Sequence, residues 1–217
     1  MHGLFIILGI ILCGIVITSC TKTEKPPESI ANLPAGKKVL IAYYSESATK
    51  NTRTAAQWIQ KYVGGDMAEL VPVTPYPPEY RKVLVIAHKE IKEKTTPELQ
   101  PLAVKPEEYD IIFVGTPVWY GTFAPPVRTF LAGTSWKGKT LVPFCTHGGG
   151  GKARTFREME AVCPDARVRP GLELRGTNIV QRKLRIGLEK LSSPAQVAQW
   201  LEQLPWMEEP IPEEVSK

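Results

Sequence analysis

The chain has 217 residues, 43% of them apolar and 23% charged, enough for one ordinary domain with extensions and a core that folds without staples. Its 27 basic and 22 acidic residues leave a net charge of +5. That excess is mild and scattered rather than gathered into a stripe with aromatics, which argues against a nucleic-acid partner and suits a dianionic small ligand or an anionic membrane surface.

The chain opens with an apolar run, Leu4 to Ile17. At about 14 residues it is short for a bilayer span of about 20 but matches the apolar region of a secretory signal. Ile17-Thr18-Ser19-Cys20 follows, and it resembles the bacterial lipobox, in which the cysteine is lipidated and becomes the first residue. The start "MHG" lacks the usual Lys or Arg, so an uncleaved anchor is the alternative. The expected organisation is a lipoprotein signal over 1–19, a polar, proline-containing tether over 20–36, a folded domain over 37–205 and a frayed tail over 206–217. The expected address is exported and membrane-anchored, facing the periplasm or the cell surface.

Within the domain, "KVLIAYY" (38–44) is a nearly continuous apolar run, the mark of a strand covered on both faces. Ala55, Ala56, Ile59, Tyr62 and Val63 then recur at helical spacing until Gly64-Gly65. "MAELVPV" (67–73) predicts a second strand, residues 79–94 a helix, and Ile111 to Val114 a third buried strand running into a loop. "PPVRTFLAG" predicts a short helix with proline at its start and glycine at its end. "KTLVPFCT" predicts a fourth strand, "KARTFREMEAV" a helix, "ARVRPGLELRG" a fifth extended segment, and "SPAQVAQWLEQL" a Ser-capped final helix. Cys145 and Cys163 flank a helical segment that would hold them too far apart for a disulfide, so two buried free thiols are expected. Strand–helix alternation with buried-type strands predicts a single α/β domain, a doubly wound five-stranded parallel sheet.

Ligands of such sheets sit beyond the carboxyl ends of the strands, an address shared by residues 45–52, 115–123 and 145–151. In the first, Ser47, Thr49, Asn51 and Thr52 bring uncharged donors to a helix start, where unpaired amides and partial positive charge favour a phosphate. In the second, Trp119 and Tyr120 could stack on a planar cofactor. In the third, the glycines after His147 let the backbone approach a ligand closely.

With these three segments the chain resembles the flavodoxin-like family, including its quinone-reductase and lipoprotein relatives, over about Lys38 to Leu204. Family phosphate loops read S/T-x-T-G-N-T, and "SATKNT" (Ser47 to Thr52) fits every slot except that Lys50 replaces the glycine. The loop is also slightly long after Tyr44. If that slot is left-handed, a side chain there costs about 1–2 kcal/mol. "GTPVWYG" and "CTHGGGG" resemble the second and third family loops, and "GLELRG" the last strand. The resemblance implies FMN as cofactor, with its phosphate in the first loop and its ring between the other two. The implied contacts are Ser45, Ser47, Thr49, Lys50, Asn51, Thr52, Thr116, Pro117, Val118, Trp119, Tyr120, Gly121, Thr146, His147, Gly148 and Gly149.

No G-x-G-x-x-G follows the first strand, Gly151-Lys152 precedes Ala153 rather than Ser or Thr, and G-x-S-x-G, C-x-x-C and paired-His spacings are missing, so no metal site is expected. No catalytic residue is assigned, although His147 could donate a proton near neutrality. Trp119 could equally fill a hydrophobic gap, and the serine and threonines could be plain caps. Two functions follow: an FMN protein that passes electrons to a small-molecule or protein redox partner, a quinone among them, or a module of the same fold that has lost FMN.

Overall fold

The structure is a computed structural model, and the residues it describes are 33–177 and 192–206. The signal, Cys20, most of the tether and the tail beyond Trp206 lie outside the described residues. The elements in order are β1 (Val39–Tyr43), α1 (Asn51–Val63), β2 (Asp66–Glu69), α2 (Tyr80–Glu93), β3 (Ile111–Trp119), β4 (Thr122–Phe123), α3 (Pro125–Gly133), β5 (Thr140–His147), α4 (Thr155–Val162), β6 (Arg167–Val168), β7 (Leu172–Arg175) and α5 (Pro194–Gln203). The sheet runs β2-β1-β3-β5-β6, with β7 continuing beside β5 and every one of these pairs parallel.

Alternation along the strands feeds two cores. Leu40, Ala42, Ile112, Val114 and Leu141 face one side, against Val83 of α2, Val127 and Phe130 of α3, and Met159 of α4. Val39, Ile41, Ile111, Phe113, Val142 and Phe144 face the other, against Ala55, Ala56 and Ile59 of α1 and Val197 and Leu201 of α5. Helices on both faces explain why the strands read as unbroken apolar runs.

The expected five strand positions are present, and the fifth is broken. Leu141 O accepts Arg169 N–H at 2.9 Å, so the next donor on that side of β5 would be residue 143, a proline. Proline cannot supply it. The fifth position therefore splits into β6, paired at Thr140–Leu141, and β7, paired from Phe144 onward.

Three other boundaries differ from expectation. The second strand ends at Glu69 rather than Val73, and Pro72 instead makes an isolated antiparallel bridge to Leu99. The third continues past Val114 to Trp119 and turns back as an antiparallel hairpin with β4, so residues 115–119 are strand rather than loop. Trp206, placed in the tail by sequence, is buried against Phe113 with ring centroids 6.2 Å apart.

Cys145 and Cys163 are free and buried. Burial pushes both thiols up to about 12, so neither is a thiolate nucleophile at neutral pH.

The chain leaves β1 in one direction to reach β2 and crosses in the other to reach β3. The crevice beyond the carboxyl ends of β1 and β3 is therefore the switch point of the sheet, the position where open α/β sheets bind ligands.

Candidate functional site

The segment after β1 is a closed ring of hydrogen bonds ending in a helix. Arg53 N–H donates to Ser45 Oγ at 3.2 Å, Lys50 N–H to Ser47 O at 2.8 Å, and Lys50 Nζ reaches back to Ser45 O at 2.7 Å. Ser47 and Thr49 share a hydroxyl bond of 3.1 Å at the exposed rim. Lys50 is the N-cap of α1, with φ 48° and ψ 39°. The slot is thus left-handed, as the family glycine implies, and the lysine carries the strain of about 1–2 kcal/mol.

Asn51 and Thr52 use their side chains to build the loop rather than to face solvent. Asn51 Nδ2 donates to Thr177 O at 2.8 Å and its Oδ1 accepts Thr177 N–H at 3.3 Å, while Thr49 Oγ1 donates to Thr177 O at 3.1 Å. The Thr52 and Thr146 hydroxyls share a buried bond of 2.8 Å. What remains for an anion is the backbone amides of Asn51 and Thr52 and the positive end of α1, because the Lys50 and Arg53 amides are taken by Ser47 O and Ser45 Oγ.

In the second segment, Thr116 is fully buried and turned inward, its Oγ1 accepting Ala124 N–H at 3.0 Å. Pro117, Val118 and Trp119 form the half-buried end of β3. Trp119 stands edge-on to Tyr44 and Tyr76, with centroids 5.6 and 5.4 Å away and interplanar angles of 88° and 90°. Tyr120 and Gly121 form a two-residue turn with φ 49° and 76°, the handedness that a tight hairpin requires. Tyr120 is exposed, and its hydroxyl donates to Leu84 O of α2 at 2.9 Å. Its ring lies 5.1 Å from that of His88. The two aromatic residues thus play different parts: Trp119 is fixed at the rim by packing, and Tyr120 ties the hairpin to α2.

In the third segment, His147 Nδ1 accepts the N–H groups of both Gly149 and Gly151, each at 3.1 Å. An imidazole nitrogen that accepts carries no proton, so the ring hydrogen sits on Nε2. Burial holds the His147 pKa below the ordinary imidazole value; Glu173 opposes this and Arg175 reinforces it. Glu173 also accepts Lys152 N–H at 2.7 Å. Gly148 and Gly150 face open space.

The three segments are joined. Tyr44 N–H donates to Gly115 O at 3.0 Å, and Arg154 N–H to Gly121 O at 3.0 Å, which docks the start of α4 on the hairpin. The Thr52–Thr146 bond links the first segment to the third. Among the described residues, three of the four non-glycine residues with positive φ, Lys50, Tyr120 and Ala153, lie in or beside these segments. Strain of this kind concentrates at functional sites.

Thr177, Glu173 and Arg154 were not foreseen as builders of the rim. Thr177 follows directly on the fifth extended segment, at the same carboxyl end as the other loops, and that address was the available signal. A cavity of about 330 Å³ opens on the α1 side of this rim, walled by Thr49, Asn51, Trp58, Thr146, Arg175 and Thr177. Among the described residues no cluster of His, Cys, Asp or Glu could hold a metal.

His147 gives the rim a pH dependence. The folded state lowers the His147 pKa, so the neutral ring favours folding. This contribution is full above the ordinary imidazole pKa of about 6.5 and is lost as pH falls through the lower folded value. Acidification should release the Gly149 and Gly151 amides together, and their NMR shifts should titrate with the ring. His147→Ala should abolish that step and lower stability by about 1 kcal/mol. Amide shifts that ignore the ring titration would contradict this role.

A doubly wound parallel sheet with an anion-suited helix start and a flat indole at its switch point defines a flavodoxin-like protein. The sequence profile described as Flavodoxin matches residues 38–191, and the chain belongs to that family. No curated protein matches it. Among solved structures it is similar to a candidate flavoprotein from Bacteroides uniformis, at 27% identity and a TM-score of 0.62, covering 77% of this chain and 99% of that one. A candidate flavoprotein from Bacteroides eggerthii is 28% identical, with a TM-score of 0.58 and coverage of 72% and 99%. A flavoprotein from Lactobacillus acidophilus, in complex with FMN, is 25% identical, with a TM-score of 0.55 and coverage of 68% and 97%.

Proposed function

We propose that the protein binds FMN at this rim and transfers electrons. The observation that carries the reading is the joining of three segments at the switch point: a positive helix start with an ammonium, an indole held edge-on by two tyrosines, and a glycine run shaped by His147. This donor set suits a dianionic phosphate next to a planar ring. Family membership and the FMN complex of the Lactobacillus acidophilus relative support the same cofactor.

Bound FMN would supply reversible acceptance of electrons, while the chain binds and orients it. The Asn51 and Thr52 amides at the start of α1, with the Lys50 ammonium, would hold the phosphate. Trp119 would present its ring to the flavin, and the Gly148 amide would donate to a polar ring atom, since the Gly149 N–H is taken by His147 Nδ1. His147 fixes the glycine run and keeps a proton on Nε2, from which it can donate. The partner is a small-molecule or protein redox partner, and a quinone fits a rim that combines an indole with backbone donors. Lipidation at Cys20 and export to a membrane surface belong to the same proposal, supported by the apolar run and the lipobox-like sequence. Intact-mass analysis of the membrane-extracted protein tests the lipid anchor: a chain that retains residues 1–19 and carries no acyl mass on Cys20 would overturn it.

One observation favours the second reading, a module without FMN: the lysine in the left-handed glycine slot. The purified protein separates the two. A yellow protein whose flavin bands bleach on anaerobic reduction and return with an oxidant supports electron transfer. Turnover with NAD(P)H and a quinone would make it a reductase, and bleaching without turnover a carrier. A colourless protein that ignores added FMN would sink the reading.

A further inference from the structure

The start of α1 carries the wrong charge for a helix. Lys50 is its N-cap, Arg53 lies in its first turn, and no acidic residue is present there. A cation at this end opposes the helix dipole, and the left-handed backbone opposes any side chain at all. Arg53 is neutralised by Glu69. Among the described residues Lys50 has no ion-pair partner, because its half-buried ammonium donates instead to the neutral Ser45 O. Two unfavourable terms thus meet at one residue that glycine would relieve of both.

We propose that Lys50 is the residue that selects for the phosphate group, making this cradle cationic where the family loop is neutral. The inference rests on the FMN reading above and adds the discrimination between FMN and riboflavin. An ammonium has three donors, of which the Ser45 carbonyl takes one. The bond across the loop holds it beside the helix start, so the remaining donors meet a phosphate dianion without the loop reorganising. The backbone strain is present with and without ligand and cancels from the affinity. The charge does not cancel.

The test titrates full-length apoprotein with FMN and with riboflavin, read by flavin fluorescence, for the wild type and for Lys50→Gly, Lys50→Asn and Lys50→Arg. Asparagine tolerates the left-handed backbone without charge, and arginine keeps the charge. Loss of a charge-assisted bond should weaken FMN binding at least about tenfold in the glycine and asparagine variants. Riboflavin affinity should stay unchanged in both, and arginine should retain most of the preference for FMN. Added salt should weaken FMN binding more steeply in the wild type than in Lys50→Gly. FMN binding by Lys50→Gly as tight as the wild type, or tighter, would overturn the proposal while leaving the FMN reading intact, and would mean that the ammonium obstructs the cradle. Wild-type protein that binds neither flavin would remove the FMN reading itself.

Discussion

Gly115→Ala should destabilise the protein by about 3 kcal/mol, at the upper end of overpacking penalties. A methyl group at this position would lie 2.1 Å from Cζ and 2.4 Å from Cε2 of Phe144. Gly115 and Phe144 are register partners on β3, the central strand of the sheet, and its neighbour β5, and Phe144 is fully buried. The ring has no space to swing into, so the strands must part or the ring must leave its rotamer. Gly115 also accepts the Tyr44 N–H that sets the start of the first rim segment, so the strain reaches the site. Chemical denaturation measures the loss, and Phe144→Leu in the Gly115→Ala background should recover part of it. A single variant as stable as the wild type would contradict the packing of β3 on β5.

The second large effect is at Trp119. Trp119→Ala removes an indole that two tyrosines hold in place, one of them, Tyr44, almost wholly buried. Burial of a tryptophan is worth about 3–5 kcal/mol in a closed core, and a half-buried one should give about 2 kcal/mol. The same substitution should weaken FMN about tenfold, because aromatic contact beyond plain burial is worth about 1 kcal/mol and the ring's area adds to it. Trp119→Phe should keep most of both. If flavin fluorescence and affinity are unchanged in Trp119→Ala while stability falls, the indole is a packing element alone.

These two residues also show what the sequence could carry. Strands covered on both faces announce themselves as apolar runs, so β1 and the start of β3 were legible, as was the helix that follows "SATKNT". The continuation of β3 was not, because Pro117 reads as a breaker. It is tolerated there because β1 has ended at Tyr43 and no strand lies on that side to require its N–H. The Tyr120–Gly121 turn was hidden for a related reason: tight hairpins are signalled by Asn-Gly or Asp-Gly, and tyrosine in a left-handed position is uncommon. At Lys50 the family glycine raised a left-handed slot only as a condition, and the backbone angles meet it.

The side-chain roles were harder to read. Serine, threonine and asparagine donors suggested a ligand, yet Asn51 and Thr52 hold partners 126 and 94 residues away in sequence. Such pairings follow from the closed fold and leave no local pattern. His147 stood out as the histidine beside the glycines, but its acceptor role toward Gly149 and Gly151 depends on the curl of that loop.

The central claim is that the three joined segments hold FMN. An NMR titration of isotope-labelled apoprotein with FMN tests it most directly. The account predicts saturation at equimolar flavin, with amide shifts confined to Asn51 and Thr52, to Trp119–Gly121 and to His147–Gly149. Shifts at the opposite edge of the sheet, around Lys37 and Asp66, or no saturable shifts at all, would contradict it.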